Sequence, residues 1–310
     1  MKLSLFDLHC DTPYEMYKQG QQLTKNDLAI SLQGAGGFSR YAQVVAFWTP
    51  PHLGNEAGWE HLLQTYQNLL RDPAVSRLTV NLSDTYPDAA DTRPWLIPSV
   101  EDARILDGDL SRLDRLQKMG FRILTPLWAK ESCIGGAHDT DCGLTAFGKA
   151  VAKKALSLGM LLDVSHASVR AAQELFELSE EYEKPILATH SNAFAVCPVS
   201  RNLRDEQIAE VIRSGGLIGI NLFARFITTH STVTTESLLS HVEHFLSLGA
   251  EEHLSLGCDM DGCDLFPEIQ SLSELPRLAE CMLRHGYSEK LIGKLFFDNA
   301  DRFAKKQFSR

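Results

Sequence analysis

The sequence predicts an α/β protein with a (β/α)8 (TIM) barrel, because eight short apolar segments alternate with amphipathic helical segments along its 310 residues. Most of the apolar segments are continuous rather than alternating, which is typical of strands buried on both faces of a parallel sheet. The competing architecture is a doubly wound open sheet, but no Gly-x-Gly-x-x-Gly motif follows any of the segments. We therefore expect one barrel domain spanning residues 1–310.

The predicted strands and helices follow one another in regular order. The strands are LSLFDLH (3–9), AQVVAFW (42–48), PWLIPSV (94–100), FRILTPLW (121–128), MLLDVSH (160–166), PILATHS (185–191), LIGINLF (217–223) and HLSLGCD (253–259). Helical periodicity is clearest in residues 144–160, 168–184, 203–216, 234–250 and 273–286. Gly159 is a stop signal for the first of these helices, and Ser168 is a suitable N-cap for the second.

The composition argues against several classes of partner. With 30 Lys and Arg against 40 Asp and Glu, the net charge of −10 disfavours nonspecific binding to nucleic acid. The seven cysteines form no Cys-x-x-Cys pair, so neither a disulfide framework nor a thiolate zinc site is indicated. The amino-terminal residues lack the apolar stretch of a signal peptide, and no run of about 18 apolar residues could span a bilayer. We expect a soluble, reduced, cytoplasmic protein.

Residue types that bind metals recur where the predicted strands end. They are His9 and Asp11 after strand 1, Glu101 after strand 3, His166 after strand 5, His190 after strand 6, and Asp259 and Asp261 after strand 8. In a (β/α)8 barrel the carboxyl ends of the strands converge on one face, where the active sites of this fold lie. Burying so many ionisable groups together costs several kcal/mol per uncompensated charge, and a bound cation would offset that cost.

The ligand types indicate metal-assisted hydrolysis. Imidazole and carboxylate without thiolate suit zinc, manganese, iron or cobalt, and one carboxylate can bridge two ions. Two divalent ions about 3.5–4 Å apart can share a water, lower its pKa and present hydroxide to a carbonyl, while an aspartate carries the proton to the leaving amine. Two assignments stay open, because Asp102 competes with Glu101 as a ligand and Asp261 competes with Asp259 as the acid and base.

Several motifs, taken together and in order, resemble those of a known enzyme family. They are "DLHCDTPYEM", "SVED", "GLTAFGKAV…LGMLLDVSH", "ATHSNAFAVCPVSRNL", "LGCDMDG" and the "DNADRF" segment (298–303) near the end of the chain. This combination resembles the renal (membrane) dipeptidase family, the M19 metallopeptidases, over nearly the whole chain. The resemblance implies a (β/α)8 barrel whose two zinc ions hydrolyse dipeptides, often those with a D-residue on the C-terminal side. It also implies a small dipeptide as the partner and, as is common among relatives, a homodimer.

The resemblance gives each matching residue an expected role. His9 and Asp11 would bind one metal, His166 and His190 the other, and Glu101 would bridge the two. Asp259 would be the catalytic acid and base beside a metal-bridging hydroxide. Arg201, in "VSRNL", would clamp the terminal carboxylate of the substrate with its planar guanidinium. Recognition of a carboxylate one residue beyond the scissile bond would favour dipeptides over longer chains.

One position departs from the family pattern. The family has a histidine at the end of strand 4 that helps to bind the carbonyl oxygen, whereas this chain reads "ILTPLWAKES" and has Trp128 there. An indole has one N–H donor and cannot become cationic, and losing an oxyanion donor can cost about 10²–10³ in rate. Trp128 is therefore expected to be a wall of the substrate pocket. His138, in the following "GGAHDTD" loop, is the candidate substitute for the missing histidine.

A zinc-dependent dipeptidase is the leading hypothesis, and two others stay open at the level of sequence. The first keeps the binuclear site but changes the substrate to an N-acyl amino acid, a lactone or another amidohydrolase substrate. The second is a catalytically weak barrel that serves as a metal-containing binding protein, and Trp128 is the feature that favours it.

Overall fold

The computed structural model describes residues 2–75 and 93–308, and within them the strands form one parallel sheet. The strands are β1 Leu5–Asp7, β2 Tyr41–Trp48, β3 Trp95–Glu101, β4 Ile123–Thr125, β5 Leu161–Leu162, β6 Ile218–Ile220 and β7 Leu254–Leu256. Their order across the sheet is β5-β4-β3-β2-β1-β7-β6, and all neighbouring pairs are parallel. The predicted parallel topology is confirmed.

Residues 185–191, the predicted sixth strand, connect the two ends of this sheet. The Leu187 N–H donates to the Leu162 carbonyl at 2.9 Å, and the Ala188 N–H donates to the Leu217 carbonyl at 2.9 Å. These parallel bridges close the sheet into the predicted (β/α)8 barrel, but the segment itself does not form a regular strand. One reason is that the Thr189 N–H, instead of bonding to a backbone carbonyl, donates to the Asp163 side chain at 2.9 Å.

Helices connect the strands. The α-helices are Thr12–Gln19, Leu32–Ala35, Asn55–Leu70, Ser111–Lys118, Ala146–Ser157, Val169–Glu181, Asp205–Arg213, Ala224–Ile227, Thr235–Ser247, Pro276–Arg284, Glu289–Gly293 and Asn299–Phe308. Single 3-10 turns lie at Ala103–Leu106, Ala250–Glu252 and Leu272–Glu274, and a π turn at Lys294–Asp298. The five predicted helices are all present, and the Ser168 hydroxyl caps its helix by accepting from the Ala171 N–H at 2.9 Å.

The amino-terminal end of the barrel is filled with apolar side chains. One buried cluster takes residues from successive strand segments and from the end of the chain, namely Phe6, Leu8, Ala42, Val44, Ile97, Ile123, Leu161, Leu187, Leu217, Phe297, Ala300, Phe303, Ala304 and Phe308. The C-terminal helix Asn299–Phe308 thus packs against this end of the barrel. Burial of each of its large side chains contributes roughly 1.5–3 kcal/mol. The polar residues gather at the opposite end, where the strands terminate.

Candidate metal centre

The structure brings together the five residues predicted as metal ligands, all of them at the carboxyl ends of strand segments. They are His9, Asp11, Glu101, His166 and His190. The His9 Nε2 atom lies 3.7 Å from Glu101 Oε2 and 3.4 Å from Asp11 Oδ2. The other oxygen of the same glutamate, Oε1, lies 3.0 Å from His166 Nε2 and 3.4 Å from His190 Nε2. Glu101 therefore has one oxygen towards each half of the cluster, as a bridging ligand requires.

Sharp backbone turns aim two of the site residues. His166 and Asp259 have φ angles of 69° and 59°, in the left-handed region that non-glycine residues seldom adopt. Such a conformation costs of the order of 1–3 kcal/mol and is found preferentially at functional sites. Both side chains line the same pocket at the carboxyl end of the barrel.

The two histidines of one half direct their Nε2 atoms towards each other. His166 Nδ1 lies 2.9 Å from the Trp128 carbonyl oxygen, which can only accept, so Nδ1 carries the proton and Nε2 does not. The Nε2 atoms of His166 and His190 are only 2.9 Å apart. Burial lowers the pKa of both imidazoles well below 6.5, so both rings are neutral. Two neutral imidazoles whose Nε2 atoms both approach the Glu101 Oε1 atom, at 3.0 and 3.4 Å, are suited to bind a cation.

The other half of the cluster contains buried polar atoms that have no hydrogen-bond partner. Within the described part of the chain, neither His9 Nε2 nor Asp11 Oδ1 has one. Burial alone would lower the pKa of His9, yet the surrounding carboxylates of Glu101, Asp11 and Asp259 raise it to about 10. Burial, followed by repulsion from Asp11, raises the pKa of Glu101 well above 4.5. Both pKa shifts result from the excess of negative charge in the cluster. The nitrogen and oxygen donors of the cluster fit divalent zinc, manganese, iron or cobalt.

Asp259 lies at the edge of this cluster. Its Oδ2 accepts a 2.9 Å hydrogen bond from the Asn221 amide, and its Oδ1 lies 3.8 Å from His9 Nε2. Burial raises the pKa of Asp259 to about 6, with repulsion from Asp11 adding to the shift and attraction from His9 opposing it. The carboxylate is thus held on one side by an amide, while the other oxygen faces the cluster.

The two competing carboxylates have other partners. Asp102 accepts from the Arg104 Nε–H at 2.8 Å and from the Arg104 backbone N–H at 3.2 Å. Asp261 accepts from the Thr12 hydroxyl at 2.6 Å and from the Ala29 N–H at 2.8 Å. Both residues therefore hold surrounding loops in place, and Glu101 and Asp259 are the carboxylates beside the histidines.

A pocket of about 510 Å³ opens above the cluster, between aromatic walls. Trp128 packs edge-on against Trp48 with ring centroids 5.1 Å apart, and Phe223 and Phe226 form a second aromatic pair 4.6 Å apart. All four line the pocket, so Trp128 is part of its wall. The volume is of the size that holds a small ligand.

Of His138 and Arg201, only His138 borders this pocket, whereas Arg201 is buried. His138 lines it, with its ring 5.9 Å from that of His166 and its Nδ1 atom 3.0 Å from Ser200 Oγ. Burial, and then the positive charge of Arg201, lower the pKa of His138 to about 4. Arg201 is buried behind His190, where it donates to the His190 carbonyl and to Ser191 Oγ at 2.9 Å each. Its Nε–H has no partner among the described residues.

Sequence reasoning missed the polar residues that support the site. Asn221 holds Asp259, and Asp163 accepts hydrogen bonds from the strand segments on both sides of it. A signal was available, because Asn221 is the single polar residue of LIGINLF and Asp163 follows directly on the apolar residues of MLLDVSH. Such a residue needs buried partners, and at the carboxyl end of a barrel strand those partners are functional residues.

Gly262 permits the close approach of two carboxylates. A Cβ atom on this residue would lie 2.0 Å from Asp11 Oδ2 and 2.6 Å from Asp259 Oδ1. We expect Gly262→Ala to displace both side chains and to weaken divalent-metal binding at least about tenfold, the lower end of the effect of disturbing the surroundings of metal ligands. Chelator competition would measure the affinity. Gly37→Ala, where a Cβ meets nothing within 4 Å, is the control, and equal affinities for the two variants would contradict the expectation.

No helix within residues 2–75 and 93–308 is long and apolar enough to cross a membrane. A parallel (β/α)8 barrel with imidazole and carboxylate donors gathered at the carboxyl ends of its strands defines the class of barrel metallohydrolases. The chain belongs, within that class, to the membrane dipeptidase family (peptidase family M19), whose sequence model matches residues 1–309.

Several individual proteins are similar over most of the chain. A metallopeptidase from Rhodobacter sphaeroides, crystallised with a phosphinate mimic of the dipeptide L-Ala-D-Ala, is 25% identical with a TM-score of 0.88 and covers 99% of this chain and 100% of its own. Dipeptidase AC, also of family M19, is 26% identical with a TM-score of 0.90 and full coverage of both chains, 100% each. An uncharacterized Klebsiella pneumoniae protein encoded in the pqqA 5′ region is 29% identical over 259 residues, 80% of this chain and 94% of that protein.

Proposed function

We propose that the protein is a dipeptidase that hydrolyses the peptide bond of dipeptides, including those with a C-terminal D-residue, with two divalent cations, preferably zinc. The observation that carries this proposal is the convergence of imidazole nitrogens and carboxylate oxygens around Glu101. The family, and the relative bound to a mimic of L-Ala-D-Ala, support the dipeptide as the substrate class. The cytoplasmic location and the homodimer expected from the sequence stay predictions.

The residues of the cluster divide between two cations. His9 and Asp11 would hold one, His166 and His190 the other, with Glu101 shared between them. Two bound divalent cations polarise a carbonyl oxygen and lower the pKa of a shared water, so that hydroxide is available near neutral pH. Proton transfer and substrate binding are assigned to side chains of the protein.

Asp259 is the residue that we assign to proton transfer. Its Oδ2 is anchored by Asn221, while Oδ1 faces the cluster and the pocket. A carboxylate in this position can take the proton of the attacking water at Oδ1 and deliver it to the nitrogen of the leaving amine. The anchored oxygen keeps the carboxylate oriented during both transfers.

The carboxylate end of the substrate is assigned to Arg201, and the carbonyl oxygen to His138. Arg201 donates one N–H of each Nη group to protein oxygens, and its guanidinium lies 5.7 Å from the ring of Phe226, a residue of the pocket wall. His138 borders the same side of the pocket and carries a neutral imidazole. A fixed positive charge beside the pocket would favour a substrate whose carboxylate is one residue beyond the scissile bond.

A substrate panel tests the proposal. Purified protein reconstituted with Zn²⁺, Mn²⁺ or Co²⁺ is incubated with L-Ala-L-Ala, L-Ala-D-Ala, the tripeptide L-Ala-L-Ala-L-Ala, N-acetyl-L-alanine and a γ-lactone. The proposal expects release of free alanine from the dipeptides only. Turnover confined to N-acetyl-L-alanine or the lactone would support the alternative amidohydrolase hypothesis, and failure with every substrate at full metal occupancy would support a binding protein.

His138→Ala tests whether this histidine replaces the family's strand-4 histidine. We expect kcat for dipeptides to fall by about 10²-fold, the effect of removing one donor to a developing oxyanion, with metal content unchanged. Ser200→Ala is the control, because it removes only the hydroxyl 3.0 Å from His138 Nδ1 and leaves the imidazole in place. Wild-type kcat in His138→Ala would mean that His138 has no part in turnover.

A further inference from the structure

Asp163 is a fully buried carboxylate next to the metal ligands but not among them. Its Oδ1 accepts from the backbone N–H groups of Ser165 and Thr189, each at 2.9 Å. Its Oδ2 accepts from the hydroxyls of Thr125 at 2.7 Å and Thr189 at 2.5 Å. A carboxylate offers two acceptor positions on each oxygen, so these hydrogen bonds fill all of them. No position is left for a proton on Asp163 itself.

The Thr189 hydroxyl lies between Asp163 and His190. It has a single proton, and Asp163, which can only accept, takes it. At its other neighbour, His190 Nδ1 at 2.8 Å, the same hydroxyl oxygen can therefore only accept. His190 must then carry its proton on Nδ1, which leaves the Nε2 lone pair facing Glu101 Oε1 at 3.4 Å.

We infer that Asp163 and Thr189 are positioning residues that fix the tautomer of His190, so that its Nε2 atom is always free to bind a cation. The inference rests on the metal centre of the proposed function. Neutral histidine ligates a metal only through the nitrogen without a proton, and the partner of the other nitrogen decides which one that is. His166 needs no such pair of positioning residues, because a backbone carbonyl oxygen accepts directly from its Nδ1–H.

Thr125 offers a matched control. Its hydroxyl donates to the same Asp163 oxygen as Thr189 does, but no hydrogen bond joins it to a metal-ligand side chain within the described residues. Thr125→Val and Thr189→Val thus remove the same chemical group from the same carboxylate. Only Thr189→Val also removes the acceptor of the His190 Nδ1–H. A purely structural role for the Asp163 network predicts equal effects for the two variants.

Asp163→Asn keeps the shape of the side chain but reverses the direction of the hydrogen bond between residue 163 and the Thr189 hydroxyl. With an amide NH₂ in the place of Oδ2, the side chain donates to Thr189, and the hydroxyl proton is free to point at His190 Nδ1. That arrangement favours the proton on Nε2 of His190, where it blocks ligation. Thr189→Ser keeps the hydroxyl and is expected to preserve the wild-type state.

The test combines Zn²⁺ binding, measured by chelator competition, with ¹⁵N NMR of the histidine rings in the metal-free protein. For Thr189→Val and Asp163→Asn we expect one of the two Zn²⁺ ions to bind 10–100-fold more weakly, as is typical when the hydrogen-bond partner of a ligand is lost. Thr189→Ser and Thr125→Val should keep near wild-type affinity. In the metal-free wild type, His190 should show a protonated Nδ1.

Two results would overturn the inference: equal loss of affinity in Thr189→Val and Thr125→Val, or a protonated Nε2 on His190 in the metal-free wild type. Failure of the proposed function would look different. In that case the wild type would not bind Zn²⁺ at the cluster, whereas the NMR measurement would still report the tautomer of His190. Thermal unfolding of each variant identifies any that fails to fold; if Thr189→Val does, Asp163→Asn carries the comparison with Thr125→Val, because only Asp163→Asn should move the His190 proton to Nε2.

Discussion

Glu101→Gln is expected to remove the binding of both divalent cations. Glu101 is the residue whose two oxygens face the two halves of the cluster, at 3.7 Å from His9 and 3.0 Å from His166. Glutamine removes the negative charge and replaces one acceptor oxygen with a donor NH₂ group. We expect metal affinity to fall more than about 100-fold, since disturbing only the surroundings of a ligand already costs 10–100-fold. Metal analysis after dialysis would show at most a trace of metal in the variant.

Glu15→Gln is the control for this substitution. Glu15 also lines the pocket, but it pairs with Lys18 at 3.0 Å rather than with the histidines. The control should retain wild-type metal content. Full metal occupancy in Glu101→Gln would contradict the bridging role.

The same variant should change the pH dependence of the metal-free protein. Burial and nearby Asp11 raise the pKa of Glu101 well above 4.5, so the folded protein keeps this proton at pH values where the unfolded chain has released it. The stability contributed by this group therefore falls as the pH rises above 4.5. Glutamine has no such proton, so the free energy of unfolding of Glu101→Gln, relative to wild type, should increase with pH. Urea unfolding in the presence of a chelator would measure the difference, and parallel pH profiles would contradict it.

Asp259→Asn is expected to abolish turnover without emptying the metal centre. We expect kcat to fall by about 10²–10⁴-fold, the usual contribution of a general acid and base. Asparagine cannot take a proton from water, although it fills the same space beside Asn221. Stopped assays of dipeptide cleavage, together with metal analysis of the same sample, would separate the two roles open to this residue. Loss of metal along with activity would make Asp259 a ligand instead.

Asp261→Asn is the matched control for Asp259→Asn. Asp261 lies in the same loop and also has a positive φ, of 66° against 59° for Asp259. Its oxygens are occupied by Thr12 and Ala29, so we expect its substitution to affect stability more than kcat. A larger loss of kcat in Asp261→Asn than in Asp259→Asn would reverse the two assignments.

Most of the fold could be predicted from the sequence, because buried parallel strands are short continuous apolar runs. The ends of the elements were harder to predict. The predicted strand 185–191 forms only isolated bridges, since Asp163 takes a backbone N–H that a regular ladder would use. A competition between side chain and backbone for one hydrogen bond depends on distances across the barrel, which a local sequence pattern does not contain.

The cluster was predictable for a different reason. The carboxyl ends of barrel strands meet in space, so a metal-binding residue at a strand end can be placed without knowing its coordinates. The same reasoning could not choose between two candidate ligands that are adjacent in the sequence. Glu101 and Asp102 are adjacent, and the structure separates them because Asp102 pairs with Arg104 while Glu101 faces His9 and His166. Gly262 gave no signal at all, because its role is the absence of a Cβ atom that would touch Asp11.

Metal content and hydrolysis of L-Ala-D-Ala, measured on one preparation of the wild-type protein during stepwise addition of Zn²⁺ to the metal-free form, test the central claim most directly. We predict two tightly bound Zn²⁺ ions per chain and dipeptide cleavage that appears as the sites fill. Binding of fewer than two ions at saturation, or complete filling without release of alanine, would contradict the account.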